Sequence, residues 1–364
     1  KQADIIKKHA VDGYLYGRVG EDHFVVIADE DTFNEEYLYE CRETLQNVLS
    51  DSVYNVRVCF GIYRTDNMNE SLSFMCDKAS FAVASIKDDT HSFIAYYDDT
   101  MLEAAIKYKT IVDEFDDAIK AGEFKMYLQP QISAKTRRLT GAEALVRRIK
   151  PDGTIISPID FIPVYEKSGL ISRLDRYIWE QAAAKLGEWK KAGINMSISV
   201  NISPKDFYYI DIFNTFAGLI KKYDIEPSNL KIEITETTIM SDVPNLMGEL
   251  EELRKAGFTL EMDDFGSGYS SLNTLKDINV DVLKVDMGFI KETKNVKKSR
   301  IILASVIKMA KELNLLIITE GVETEEQVDN LTKLGCDVFQ GYYFSKAIDV
   351  NEFEKRYLYR KKAG

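Results

Sequence analysis

Beyond about residue 124 the chain alternates short β-branched runs with stretches whose apolar residues recur at helical spacing, which is the pattern of repeated βα units around a parallel sheet. Eight runs stand out, at 124–132, 141–149, 195–202, 230–236, 258–264, 280–286, 315–320 and 337–344, and segments such as 174–191 and 299–313 read as the helices between them. Eight strands in roughly 240 residues predict a closed β/α barrel. Only a short polar stretch around 133–138 joins the first two runs, too short for a crossover helix, so those two strands are expected to be antiparallel.

The pattern upstream differs. A hairpin at 14–28, a helix at 34–49, a strand at 55–62 and a helix at 70–86 predict a smaller α+β module over 1–98. Leu102, Ile106, Ile111, Phe115 and Ile119 then recur every four or five residues, and Gly122 supplies a stop. These predict a linker helix over 99–121, preferred as a rigid coupling over a flexible tether, between the module and a barrel domain at 122–364.

Composition narrows the partners. A hydrophobic fraction of 45% and a charged fraction of 29% suit two folded domains. A net charge of −12 opposes binding to a nucleic-acid polymer but allows a small phosphate ligand held through a metal. Cys41, Cys59, Cys76 and Cys336 lie far apart with no CxxC pair, as expected of reduced structural thiols. With no apolar run of about 18 to 20 residues and no signal-peptide core, this segment is expected to make no membrane contact and to be cytoplasmic. It begins at Lys1 without methionine, so a longer protein carrying a sensor or a membrane anchor is a further expectation.

The candidate chemistry lies at the strand ends of the barrel, where runs that otherwise read as buried carry Gln129, Glu143, Asn201, Glu233, Asp263 with Asp264, Lys284, Glu320 and Gln340. In a β/α barrel such residues meet at the C-terminal mouth. Alternation in Leu283-Lys284-Val285-Asp286 puts Lys284 and Asp286 on one face and the two apolar residues on the other. Taken singly, each glutamate is more often a surface residue or an ion-pair partner, and Asp263 to Gly268 alone could be a turn. Taken together, five carboxylates in one mouth require counter-charge beyond Lys284 and Arg147. His9, His23 and His91 all precede residue 100, so the barrel has only oxygen donors to offer, which points to Mg²⁺ or Mn²⁺ rather than zinc. Without histidine no Ser-His or Cys-His nucleophile can form, and water activated by metal is the expected nucleophile.

At these positions the sequence resembles the EAL family of cyclic dinucleotide phosphodiesterases. Glu143-Ala144-Leu145 is the family's name motif, followed in order by Ser199-Val200-Asn201, Glu233-Ile234-Thr235-Glu236, Asp263-Asp264-Phe265-Gly266-Ser267-Gly268, Leu283-Lys284-Val285-Asp286, Glu320-Gly321-Val322-Glu323 and Gln340-Gly341-Tyr342. The resemblance implies a modified TIM-type barrel with one antiparallel strand that opens cyclic di-GMP to linear pGpG with two Mg²⁺ or Mn²⁺ ions. By motif, Glu143, Asn201, Glu233 and Asp263 resemble ligands of a first ion, with Asp263 bridging to a second held by Asp264. Glu320 resembles the general base and Lys284 the lysine that orients water. Arg147 stands where the family has an arginine facing a substrate phosphate, and Gln129 and Asp286 are expected to join it in binding substrate. Gln340, Glu236 and Glu323 are expected to support the site, Glu236 by steadying the loop at 264–270. The family links that loop to dimerisation, so a homodimer is implied. One departure is Arg148, where the family usually has tryptophan; the expectation is altered substrate packing or added charge at the mouth.

The first module resembles the latter half of a GGDEF domain, with a degenerate signature turn at Gly20-Glu21-Asp22-His23-Phe24. Glu21 replaces the glycine that lets backbone approach nucleotide phosphates, and the leading strand with its metal-binding aspartate is absent, so cyclase activity is not expected. The module is expected either to scaffold or to regulate, with GTP as the ligand in the second case. For the barrel, the alternatives to hydrolysis are a receptor that binds cyclic di-GMP and signals through the linker helix, or an unrelated barrel enzyme using two metals.

Overall fold

The computed structural model describes residues 3, 5–6, 14–20, 23–49, 57–65, 67, 69–87, 89, 91–241, 243, 245–265, 275, 278–287 and 296–359. The chain divides into two compact units, Lys1–Ile111 and Val112–Gly364.

In the first unit, β1 (Leu15–Arg18) and β2 (Phe24–Ile27) form the predicted hairpin, paired antiparallel from Leu15–Ile27 to Arg18–Phe24. A helix follows at Glu36–Leu49, and a second at Leu72–Ser85 joins β3 (Phe60–Ile62) to its parallel partner β4 (Ile94–Tyr96). Ser71 starts the second helix by accepting a hydrogen bond from the Phe74 N–H at 3.3 Å, satisfying a donor the helix itself leaves open. The strand expected from 55 begins only at Phe60, and residues 50–56 lie outside the described residues. Glu21 and Asp22 of the degenerate turn also lie outside them.

The helix expected over 99–121 is in two pieces, Asp99–Asp113 and Phe115–Lys120, parted at Glu114. Gly122 stops the second piece with φ at +64°, its N–H donating to Ile119 O at 3.0 Å while Glu123 N–H reaches Ala118 O at 2.9 Å.

The second unit is a barrel. Its strands are β5 (Phe124–Ser133), β6 (Leu139–Ile149), β8 (Ile198–Ile202), β9 (Leu230–Thr235), β10 (Leu260–Asp263), β11 (Val282–Asp286), β12 (Leu316–Glu320) and β13 (Val338–Phe339), while β7 (Ile155–Ile156) and β14 (Ile348–Asp349) lie at the ends of the sheet order. From β6 through β13 each barrel strand runs parallel to its neighbour, and β5 closes the ring antiparallel to both β6 and β13. The five-residue link between β5 and β6, residues 134–138, explains why the odd strand is this one. The eight runs read from the sequence each overlap one of these strands, although β5 and β6 extend slightly beyond theirs and the last run shrinks to two paired residues.

Outside the ring, the helix at Ile171–Lys191 buries Leu174, Ile178, Trp179, Ala182, Ala183, Leu186 and Trp189 along one stripe. Trp179 ties this layer to the mouth, since its Nε1–H donates to Asn201 O at 2.9 Å. The four cysteines are unbridged. No helix among the described residues is long and apolar enough to cross a membrane.

Candidate active site

Four carboxylates from four strands converge on the ammonium of Lys284. Its Nζ lies 2.6 Å from Glu233 Oε2 on β9, 2.7 Å from Glu320 Oε1 on β12, 3.3 Å from Asp263 Oδ1 on β10 and 3.6 Å from Glu143 Oε2 on β6. Lys284 and Glu233 are each fully buried. Burial alone would lower the pKa of Lys284, but Asp263, Glu143, Glu233 and Glu320 outweigh it and hold the side chain as an ammonium.

One cation does not balance four acids. Burial pushes Glu233 well above the usual carboxylate range, with Glu143 adding to the shift, and pushes Glu320 up to about 8 against the pull of Lys284. The second oxygen of Glu233, Oε1, is buried and has no hydrogen-bond partner. A buried oxygen left this way costs roughly 1–3 kcal/mol, more when charged, so the site as folded is short of positive charge.

A network of amides fixes the rim of the cluster. Gln340 Nε2 donates to Glu143 Oε2 and, at 3.3 Å, to Gln129 Oε1, while Asn201 Nδ2 approaches Glu143 Oε1 at 3.4 Å. Gln129 in turn donates to Ser345 O at 3.2 Å. Gly341 allows this arrangement, because a Cβ there would stand 2.2 Å from Val322 O, and the same close approach lets Val322 N–H donate to Gln340 O at 3.2 Å.

The remaining candidates stand around this group. Asp264 follows Asp263 with φ at +56°, a left-handed conformation that aspartate tolerates, and its N–H donates to Asp263 Oδ1 at 2.9 Å. The residue as a whole is exposed, but partial burial of its carboxyl, with the charge of Asp263 beside it, raises its pKa against the pull of Lys284. Asp286 shares the face of Lys284 and stands in register with Glu320. Glu236 is buried at the start of the helix Glu236–Ile239, whereas Glu323 is exposed with its N–H donating to Gln327 Oε1 at 2.7 Å. The loop at 264–270 is described only to Phe265.

Arg147 shares the face of Glu143 by alternation, its guanidinium 5.9 Å from the Tyr127 ring centre and its Nη1 donating to Val146 O at 2.7 Å. Arg148 corrects the sequence expectation of charge added at the mouth. It points to the opposite face, is 2% exposed, and is held by Glu114 Oε2 at 2.7 Å and Glu123 Oε2 at 2.9 Å beside the Phe124 ring.

The oxygen donors suit a hard cation chemically. Among the described residues, however, no three His, Cys, Asp or Glu side chains are already arranged to enclose a metal ion. The ammonium of Lys284 holds the centre on which these carboxylates converge.

The family model for the EAL domain matches residues 112–347. The chain belongs to the EAL family. It is 31% identical over 350 residues to the signaling protein YkoW of Bacillus subtilis (strain 168), covering 94% of this chain and 44% of that protein. Over 252 residues it is 36% identical to the probable cyclic di-GMP phosphodiesterase PdeG of Escherichia coli (strain K12), covering 67% of this chain and 48% of the relative. It therefore spans about half the length of these curated relatives. Among solved structures, the PaMucR phosphodiesterase in complex with c-di-GMP superposes with a TM-score of 0.63 at 32% identity, covering 67% of this chain and 99% of that one.

Of three further polar residues inside this EAL barrel, Gln131 and Glu261 escaped the sequence reading and Ser199 entered it only within a motif, with no role of its own. Gln131 is 1% exposed and donates to Gln340 Oε1 at 3.2 Å, Ser199 is fully buried 3.5 Å from Gln131 Nε2, and Glu261 is fully buried 2.9 Å from Lys231 Nζ. The alternation that placed Lys284 could have found them, because each lies two residues from a candidate on the same face: Gln131 after Gln129, Ser199 before Asn201, and Glu261 before Asp263.

Proposed function

We propose that this EAL domain hydrolyses cyclic di-GMP to linear pGpG with the help of two Mg²⁺ or Mn²⁺ ions. The observation that carries the reading is the charge deficit around Lys284: four converging acids, one ammonium, and a buried Glu233 oxygen with no hydrogen bond. The names of the relatives support the substrate, since PdeG is named a probable cyclic di-GMP phosphodiesterase and the PaMucR structure is of a c-di-GMP complex.

In this reading Glu143, Asn201, Glu233 and Asp263 would hold one ion, and Asp263 with Asp264 the other. Ions there would supply Lewis acidity toward the phosphodiester and toward water. Lys284 orients the attacking water by donating a hydrogen bond to it. Glu320, 2.7 Å from Lys284 Nζ and in register with Asp286, is the carboxylate placed to accept a proton from that water. Arg147 presents its guanidinium to a phosphate, a geometry arginine serves better than lysine. Gln129 and Asp286 complete the substrate contacts, and Gln340, Glu236 and Glu323 keep the surrounding loops in place.

We further read residues 1–98 as a partial, degenerate GGDEF-like module that regulates the barrel through the helices at 99–121, with GTP as its candidate ligand and a cytoplasmic homodimer as the working assembly. The test is incubation of the chain with cyclic di-GMP and Mg²⁺ or Mn²⁺, followed by chromatography for pGpG. Unchanged nucleotide alongside an active EAL control would refute hydrolysis; tight binding without turnover would establish the receptor alternative instead.

A further inference from the structure

Arg148 presents a buried charge whose place the catalytic reading does not use. Its Nη2 donates to Glu114 Oε2 at 2.7 Å and its Nε to Glu123 Oε2 at 2.9 Å, with Lys150 Nζ 3.4 Å from the other oxygen of Glu114. Glu114 sits at the break between the helices Asp99–Asp113 and Phe115–Lys120, and Glu123 immediately precedes β5. The guanidinium thus ties three points together: the helix junction, the entry into the first barrel strand, and the C-terminal end of β6. The backbone repeats the tie, because Ile149 N–H donates to Glu123 O at 2.8 Å.

The end of β6 is where Arg147 stands. Adjacent residues on a strand face opposite sides, so Arg147 presents its side chain to the Glu143 face while Arg148 is anchored on the other. Glu143 lies four residues back in the same strand, within the amide network of Gln340 and Asn201. Its position is thereby fixed independently of Arg148. The backbone of Arg147 is paired with Lys125 of β5, but its side chain meets only weaker partners, the Val146 carbonyl at 2.7 Å and the Tyr127 ring at 5.9 Å.

We infer that Arg148 is a positioning residue for substrate binding, acting through Arg147: by clamping the end of β6 to Glu114 and Glu123 it sets where the Arg147 guanidinium meets a phosphate of the dinucleotide. This deepens the proposed function and rests on it. The bidentate use of two carboxylates explains why the position needs a planar fork; a lysine could satisfy one partner well and the other poorly. The joint also gives the helix junction a mechanical route to the substrate arginine that bypasses the acid cluster.

The experiment is a double-mutant cycle on the full chain with R147A, R148M and the pair, reading KM and kcat for cyclic di-GMP and, by calorimetry, its Kd. R148M should raise KM and Kd roughly five- to tenfold with kcat changed less than about twofold, and R148K should recover part of the loss. In the R147A background the same substitution should move KM and Kd less than about twofold, since the residue it positions is gone. An equal effect in both backgrounds, or a fall in kcat with KM unchanged, would overturn the positioning role and leave a merely structural ion pair. Should R148M fail to fold, E114Q and E123Q loosen one side of the clamp each and are judged by the same cycle. If the unsubstituted chain neither binds nor cleaves the dinucleotide, the proposed function falls and this inference with it; binding or turnover without coupling between 147 and 148 overturns the inference alone.

Discussion

Lys284 reaches from β11 across β10 to meet Glu233 of β9 at 2.6 Å, with both side chains fully buried. Such a pair is a weak source of net stability, because removing two charges from water nearly cancels their attraction, but removing only one partner is costly. Its value here is positional: it holds an ammonium where four acids meet.

Replacing Lys284 by Met should therefore destabilise the chain by about 3–5 kcal/mol in metal-free buffer, since Glu233 would lose its cationic partner. Urea denaturation with and without Mn²⁺ checks this. Part of the loss should return when Mn²⁺ is present, while turnover stays low because the water-orienting donor is gone. Unchanged stability without metal would contradict the described pairing.

Glu143→Ala and Asp263→Ala should each lower turnover by orders of magnitude, since each removes a carboxylate assigned to an ion that activates water. Chelation of the unsubstituted chain should abolish turnover, and Mn²⁺ or Mg²⁺ should restore it while raising the melting temperature, because a ligand that binds only the folded state stabilises it. Full activity in chelator, or in both variants, would remove the metal from the mechanism.

Gly341→Ala is expected to be costlier than its single methyl suggests. The new Cβ would stand 2.2 Å from Val322 O, a backbone atom that cannot turn aside as a side chain would. Destabilisation of about 1–3 kcal/mol should follow, together with displacement of Gln340 and loss of activity through Glu143. A variant as stable and active as the parent chain would show that the loop relaxes freely.

How far the sequence carried the site depends on which interactions were local. The barrel strands were legible because apolar periodicity is set by burial on both faces, and the antiparallel β5–β6 pair followed from chain length alone. Lys284 was placed inward by alternation, yet nothing in its neighbours along the chain disclosed that four acids meet on its Nζ, since those distances depend on register across five strands. Arg148 was misjudged for the same reason. Its partners are 34 and 25 residues away, and only the pairing of β5 with β6 shows that it faces the outer layer instead of the mouth. The break at Glu114 was invisible because the apolar spacing runs through it, and Glu114 itself keeps helical angles of φ −74° and ψ −12°.

The pH dependence of stability should report on a second buried acid, Asp206, outside the Lys284 cluster. It follows β8, is fully buried, and accepts the Ser203 N–H at 2.8 Å through Oδ2. Burial pushes its pKa from 3.8 up to about 6, and burial, with the Asp206 charge beside it, also raises the neighbouring Asp175 carboxyl. Because the folded-state value is raised, the folded chain holds this proton more tightly than the unfolded one. Stability from this group is full below about pH 4 and declines as the pH rises toward 6, with a loss on the order of 2–3 kcal/mol beyond it. Asp206→Asn retains an acceptor for the Ser203 N–H and never ionises. Urea denaturation at pH 4, 5, 6 and 7 should accordingly show the variant gaining on the parent chain from pH 4 to 6 and keeping a lead above. A lead independent of pH, or one that narrows as the pH rises, would mean that Asp206 does not carry a raised pKa in the folded chain.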